Sequence, residues 1–217
     1  MWTYRGIRVH WLGHDSFVLQ GSKTIIIDPF KAKGEYVADL LLITHEHQDH
    51  LSGNDIKHFS NASTTLVAPP ICEGALSAFP QEKKLLKPGS KVDLKGVSIE
   101  TVPAYNLNKF REPGKVFHPK ADGRVGYIVT LDGVRFYHAG DSDATPEMKS
   151  LTVDAAFLPV SGTYVMTPEE ASEAAKAMKV DVVVPMHVGS IIGTRADAEK
   201  FKNLVGGKPA VEILDRE

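Results

Sequence analysis

The run Thr44-His45-Glu46-His47-Gln48-Asp49-His50 packs four potential metal ligands, His45, His47, Asp49 and His50, into six positions. His45 and His47 are two apart. In an extended segment, side chains at i and i+2 point the same way, so both imidazoles can reach one ion. Asp49 and His50, one turn later, can face a second ion beside it. A dinuclear site needs about three protein ligands per ion, so further donors are expected at strand ends downstream. Two candidates stand there. Asp141 follows Phe136-Tyr137-His138-Ala139-Gly140, after a glycine that lets the backbone turn, and His187 follows Val184-Pro185-Met186. A carboxylate at Asp141 could bridge two ions. The chemistry such a site supports is hydrolysis by a metal-bound hydroxide, since paired ions lower the pKa of a bridging water to about 7. Asp49 is expected to orient that hydroxide and to carry a proton to the leaving group. No Ser-His-Asp or Cys-His arrangement is evident. Cys72, in Pro-Pro-Ile-Cys-Glu, reads as a packing residue.

The elements that must position these residues read as follows. Ile7–Leu12, Ser16–Gln20 and Lys23–Asp28 are β-rich runs punctuated by Gly13 and Gly21-Ser22, a meander of hairpins. Asp39–Thr44 is a nearly continuous apolar run, the pattern of a strand buried on both faces, and it delivers the histidine cluster. A helix is expected near Asn54–Phe59, a strand at Thr65–Ala68 and a helix over Ile71–Phe79. The pattern then recurs: strands at Lys91–Leu94, Ser98–Val102, Val125–Leu131 and Val134–His138, turning at Lys95-Gly96 and Asp132-Gly133. Ala155–Pro159, Asp181–Pro185 and Ala210–Leu214 are strands separated by helices at Thr167–Met178 and Arg195–Leu204. The first of these helices carries an entry signal, Thr167 as cap, Pro168 after it and Glu170 three residues on. Two such halves bury both faces of paired sheets beneath helices, which predicts a four-layer αββα sandwich. Asn106–Gly123, rich in Lys, Pro and Gly, is the one long irregular stretch, and loops of that length are often functional.

A chain of 217 residues fits a single domain over residues 1–217. With 25 Lys+Arg against 27 Asp+Glu the formal charge is −2, which argues against a dedicated nucleic-acid partner. No apolar run approaches the roughly 20 residues that span a bilayer, and no secretory signal is visible at the start. One cysteine forms no internal disulfide, so cytoplasmic residence is the expectation. Oligomeric state is silent. A small-molecule substrate is the expected partner.

Taken together, His-x-His-x-Asp-His after an apolar strand, His138-Ala139-Gly140-Asp141 after a later one, and Pro185-Met186-His187 near the end resemble the metallo-β-lactamase superfamily. Trp11-Leu12-Gly13-His14-Asp15-Ser16-Phe17 and Ile27-Asp28-Pro29-Phe30 are similar to its lactonase and phospholipase D-like branch, which includes the ascorbate-6-phosphate lactonases. The resemblance runs from Ile7 to Leu214 and implies an α/β fold, the αββα sandwich. It also implies that His45 and His47 bind a first metal, Asp49 and His50 a second, that Asp141 bridges, and that His187 completes the second site. Two divalent ions are implied, zinc first, with Mn, Fe or Ni as alternatives. By the same resemblance His14 and Asp28 lie near the centre, and Asp28 is a candidate to hold a ligand histidine's second nitrogen. His10 and His138 read as packing or supporting residues and His58 as a surface one. Gly162-Thr163-Tyr164 reads as pocket lining. The chain departs from the pattern once: after Ser98–Val102 the family carries another histidine, where this sequence has Pro103-Ala104-Tyr105-Asn106. Tyr105 and His118 are the two substitutes. A phenol ionises only near pH 10, whereas neutral imidazole binds metal directly, so His118 is favoured and Asn106–Gly123 becomes a wall of the pocket. The resulting expectation is a metal-dependent hydrolase of a lactone, another ester-like bond or a phosphodiester. The competing readings are a nuclease-type phosphodiesterase and a non-hydrolytic diiron redox or metal-binding protein.

Overall fold

A computed structural model describes residues 1–217. The chain opens with seven strands of one sheet: β1 (Trp2–Tyr4), β2 (Ile7–Gly13), β3 (Ser16–Gln20), β4 (Thr24–Ile27), β5 (Leu40–Leu42), β6 (Thr65–Ala68) and β7 (Glu82–Leu85), lying side by side in that order. The pairs from β1 to β4 are antiparallel and those from β4 to β7 parallel. Alternation of side chains along these strands divides them between two cores. Phe17, Leu19, Ile25, Ile27, Leu40 and Leu42 point into the larger core between the sheets. Val18, Ile26, Leu41 and Ile43 point outward and are covered by Ile56 and Phe59 of α1 (Gly53–Phe59) and Leu76 of α2 (Glu73–Leu76).

The second sheet uses β8 (Lys91–Leu94), β9 (Val97–Pro103), β12 (Val125–Leu131), β13 (Val134–His138), β14 (Ala155–Pro159), β15 (Val182–Met186) and β16 (Ala210–Val211); a separate ribbon of β10 (Phe110–Glu112) and β11 (Lys115–Val116) lies between β9 and β12 in the chain. Its spatial order is β16-β15-β14-β13-β12-β9-β8, antiparallel from β8 to β13 and parallel from β13 to β16. Phe157 of this sheet stacks on Phe17 of the first, with ring centroids 4.2 Å apart. Helices α3 (Pro146–Lys149), α4 (Pro168–Ala177) and α5 (Arg195–Val205) follow this sheet's strands, and Ala171, Ala174 and Phe201 join its core. The four-layer αββα sandwich is therefore present.

Several elements differ from their sequence signals. Ile71–Phe79 is not one helix: a 3₁₀ turn at Pro70–Cys72 leads into the single helical turn Glu73–Leu76. Asn106–Gly123 contains the β10–β11 ribbon and a 3₁₀ turn at Lys120–Asp122 rather than purely irregular chain. Edge strands β1 and β7 carry no clear sequence signature, whereas the helical turn α3 is announced by Thr145 as cap with Pro146 after it. No helix is long and apolar enough to cross a membrane.

What the architecture sets up is a rim. β4, β5, β13, β14 and β15 all end on it, as does the β2–β3 turn. The sheets are stitched together there: Val125 N–H donates to Thr44 C=O at 3.2 Å, His187 N–H to His14 C=O at 3.3 Å, and the Tyr127 hydroxyl to Ile43 C=O at 2.8 Å.

Candidate metal centre

His45, His47, Asp49 and His50 follow β5 on this rim. Directly after β5, Thr44 is fixed by Asp28, whose carboxylate accepts from the Thr44 amide at 2.8 Å and its hydroxyl at 2.6 Å. Because the Thr44 hydroxyl donates to Asp28, its oxygen is left to accept from His45 Nδ1 at 3.0 Å. Asp28 also binds His50 Nδ1 at 2.8 Å. One buried carboxylate thus orients two rings, turning Nε2 of each away from the sheet. Asp28 does hold a candidate ligand's second nitrogen, as the resemblance implied.

Asp141 enters from the opposite sheet. Gly140 before it has φ 60°, and a β-carbon there would lie 3.0 Å from Thr44 Cβ. Only glycine accepts both the left-handed backbone and that approach. Asp141 Oδ2 faces His45 Nε2 at 3.9 Å and His118 Nε2 at 3.6 Å; its Oδ1 faces His50 Nε2 at 3.3 Å and His187 Nε2 at 3.4 Å. His187 follows β15 in left-handed backbone, φ 62°, and its Nδ1 pairs with Ser161 Oγ at 2.8 Å. His118 is buried, its ring 5.5 Å from that of His45 and 5.2 Å from that of His47 between centroids. Tyr105 turns elsewhere: its hydroxyl donates to Glu147 at 2.9 Å. Of the two substitutes for the absent strand-end histidine, only the imidazole reaches the cluster.

Two donor groups result, each with its ligand atoms within 4.8 Å of one another: His45, His47, His118 and Asp141, and His14, Asp49, His50 and His187. All seven residues singled out as ligands are brought together. His14 and Asp15 extend the set. His14 Nε2 bonds Asp49 Oδ2 at 3.1 Å, and its ring lies 4.3 Å from that of His187. Asp15 is fully buried, with neither carboxyl oxygen hydrogen-bonded, and forms a third group with His50, Asp141 and His187. Asp15, Thr44 and Ser161 carry no ligand spacing of their own in the sequence, although they adjoin His14, His45 and Gly162. His138 packs between Phe17 and Phe157 and bonds Asp15 C=O at 2.8 Å. His10 pairs with Glu217 away from the cluster, and His58 is a surface residue bonded to Gly34 C=O. Tyr164 lies against Phe117, centroids 4.7 Å apart, beside His118.

The electrostatics suit a cation. Burial holds His45 well below the ordinary imidazole range, His118 at about 4 and His187 at about 3. Burial and the nearby Arg124 charge lower His47 as well. These rings are neutral near pH 7, with lone pairs free to donate. Burial opposes charge on His50, but Asp141 and Asp28 outweigh it and raise its pKa. Burial also opposes charge on Asp49 and Asp141, yet the His14 hydrogen bond and the charge of His50 bring Asp49 to about 2, and the surrounding histidines hold Asp141 well down. The carboxyl groups of Asp15, Asp28, Asp49 and Asp141 lie within 4.0 Å of histidine nitrogens and of no Lys or Arg nitrogen. His50 Nε2 and Asp141 Oδ1 are buried without hydrogen-bond partners. Buried polar atoms are rarely left so, and donors of this kind converging on one volume fit divalent ions.

Known proteins agree with this chemistry. A model of the Beta-lactamase superfamily domain matches residues 8–187. A UPF0173 metal-dependent hydrolase of Thermococcus onnurineus is 36% identical, covering 96% of each chain. A solved structure from Parabacteroides distasonis, described as a candidate metal-dependent hydrolase, is 31% identical with a TM-score of 0.84 over 97% of this chain and 94% of that one. Igni18, a metallo hydrolase from Ignicoccus hospitalis, shares the fold at 24% identity and TM-score 0.78, over 96% and 95% of the two chains. The chain belongs to the metallo-β-lactamase superfamily, among its metal-dependent hydrolases.

Proposed function

We propose that the chain is a dinuclear hydrolase of a lactone, another ester-like bond or a phosphodiester, with His45, His47 and His118 holding one ion, Asp49, His50 and His187 the other, and Asp141 shared. The carrying observation is the split of Asp141: one carboxylate oxygen faces His45 and His118, the other His50 and His187. Charge supports bound cations, since Asp49 and Asp141 are held ionised with no Lys or Arg partner in a site where unpaired charge is costly. Nitrogen-rich donor sets of this size suit zinc first. When bound, such ions polarise a substrate oxygen and supply hydroxide near neutral pH.

The chain's own groups do the positioning. Asp49 is the catalytic candidate because it is ionised and partly exposed, at 26%, while the other carboxylates are buried. Its Oδ2 is held by His14, which leaves Oδ1 to orient a water and accept its proton. Asp28, Thr44 and Ser161 fix the rings, so little reorganisation is needed during reaction. Metal quantification on freshly purified protein, followed by a screen across lactones, phosphodiesters and β-lactams, tests the reading. About two ions per chain and turnover of one class are expected. A single ion per chain, or an inert protein at full loading, would overturn it.

A further inference from the structure

We infer that Asn106 and Arg124 are positioning residues that hold His118 in the cluster by pinning its loop at both ends. This rests on the proposed assignment of His118 as a ligand. His118 lies far along the excursion from Pro103, where β9 ends, to Val125, where β12 begins. Nothing in a loop of that length holds a ring in place by itself, because each unpinned residue keeps its backbone freedom.

Asn106 supplies the first pin. Its amide donates to His118 C=O at 2.8 Å, and its side-chain Oδ1 accepts from His118 N–H at 2.9 Å. Both backbone groups of His118 are therefore held by one residue. The remaining Asn106 group, Nδ2, donates to Tyr164 C=O at 2.8 Å, which ties the pair to the segment after β14. Asn106 is buried, so no water replaces these bonds cheaply. The carboxamide suits the task because it offers an acceptor and a donor on one planar group. Alanine keeps the backbone bond and loses both others.

Arg124 supplies the second. Its guanidinium is buried and forks onto Glu46, with Nε at 3.0 Å from Oε2 and Nη2 bonded to Oε1. Glu46 stands between His45 and His47. The same guanidinium donates from Nη1 to the C=O of Phe117 at 3.3 Å, immediately before His118, and pairs with Asp122 at 3.2 Å. One side chain thus fixes the spacing between the His45–His47 loop and the His118 loop. The β10–β11 ribbon lies in the chain between Asn106 and His118 and pairs only with itself, with Leu107 and Phe110 exposed, so it is the residues on either side of it that hold His118 at the cluster.

Cobalt(II) titration of the full-length protein after chelation, read by metal content and by visible absorption of the bound ion, tests this on Asn106→Ala, Arg124→Gln and His118→Ala. The His118 variant is expected to stop at about one ion per chain. The Asn106 and Arg124 variants should lose the same ion at low cobalt and recover it at roughly 10–100-fold higher cobalt, because their imidazole is still present. Their melting temperatures at saturating metal should fall by no more than roughly 10 °C, the cost of the buried bonds lost, with native circular dichroism, and Asn106→Gln, which retains the carboxamide, should recover part of the affinity. If both variants bind two ions with unchanged affinity while His118→Ala loses one, the pins are overturned and the site stands. If His118→Ala itself keeps two ions, the ligand assignment fails and the inference with it. Loss of both ions with a lowered melting temperature would mean a merely structural role and would overturn the positioning role.

Discussion

His14, Asp28 and His187 all occupy left-handed backbone, with φ of 51°, 44° and 62°. For residues bearing a β-carbon this costs on the order of 1–3 kcal/mol each, and such strain persists where surrounding structure over-determines it. Here each strained residue ends a strand or forms a turn on the one rim that carries the donors, so the strain is what aims them. Asp28 gains most from its position, since one carboxylate serves Thr44 and His50 together. Asp28→Asn keeps the shape but loses charge and one acceptor. Metal affinity should fall by roughly 10–100-fold in competition with a chelator, and an unchanged affinity would detach Asp28 from the site. Asp49→Ala is a different experiment, because a methyl group can neither bind a cation nor take a proton. Hydrolysis should disappear while circular dichroism stays native, and melting should fall by no more than the share that the second ion contributes. Wild-type turnover by that variant on any substrate found in the screen would refute the mechanism.

Among the elements, β5 and β13 bear most of the burden, one delivering Thr44–His50 and the other Gly140-Asp141 to the same point. Their meeting depends on Gly140, where an added β-carbon would stand 3.0 Å from Thr44 Cβ in backbone that disfavours side chains. Gly140→Ala should therefore destabilise the fold by about 1–3 kcal/mol and lower metal content at once. A stable, fully loaded variant would show that the rim yields more easily than its packing implies. These interior strands were legible because burial on both faces writes itself as an apolar run, as in Leu40–Leu42 and Ala155–Pro159. Strand β7, Glu-Lys-Lys-Leu, was not: as an edge strand exposed along one face it carries charge instead of alternation. The same reasoning covers the site. His45, His47, Asp49 and His50 announce themselves by spacing, and Asp141 and His187 by their strand ends. The pins on His118 do not, since Asn106, Glu46 and Arg124 are ordinary polar residues whose partners lie 12 and 78 positions away.

At the scale of the whole molecule the candidate ligands come from both sheets, and this sets a thermodynamic expectation. His14, Asp28 and the His45–His50 segment belong to the first sheet's rim, Asp141 and His187 to the second's. Few backbone bonds join the two there, chiefly Val125 to Thr44 and His187 to His14. Ions held by donors from both sides would cross-link the halves of the native state and have no equivalent site in the unfolded chain. Removing them also leaves Asp49 and Asp141 with histidines as their sole charge partners, a penalty added to the lost binding energy. A ligand at about 1,000 times its dissociation constant stabilises the native state by roughly 4 kcal/mol. In a protein of this length each kcal/mol moves the melting temperature by about 2–4 °C. Chelation is therefore expected to lower the midpoint by roughly 8–16 °C for each ion withdrawn, about 16–32 °C for both, and zinc should restore it. Asp141→Asn should show a smaller response to chelator, because the group shared by both donor sets is weakened before any metal is withdrawn. A midpoint indifferent to chelator in the unaltered protein would mean that no ion ties the two sheets together.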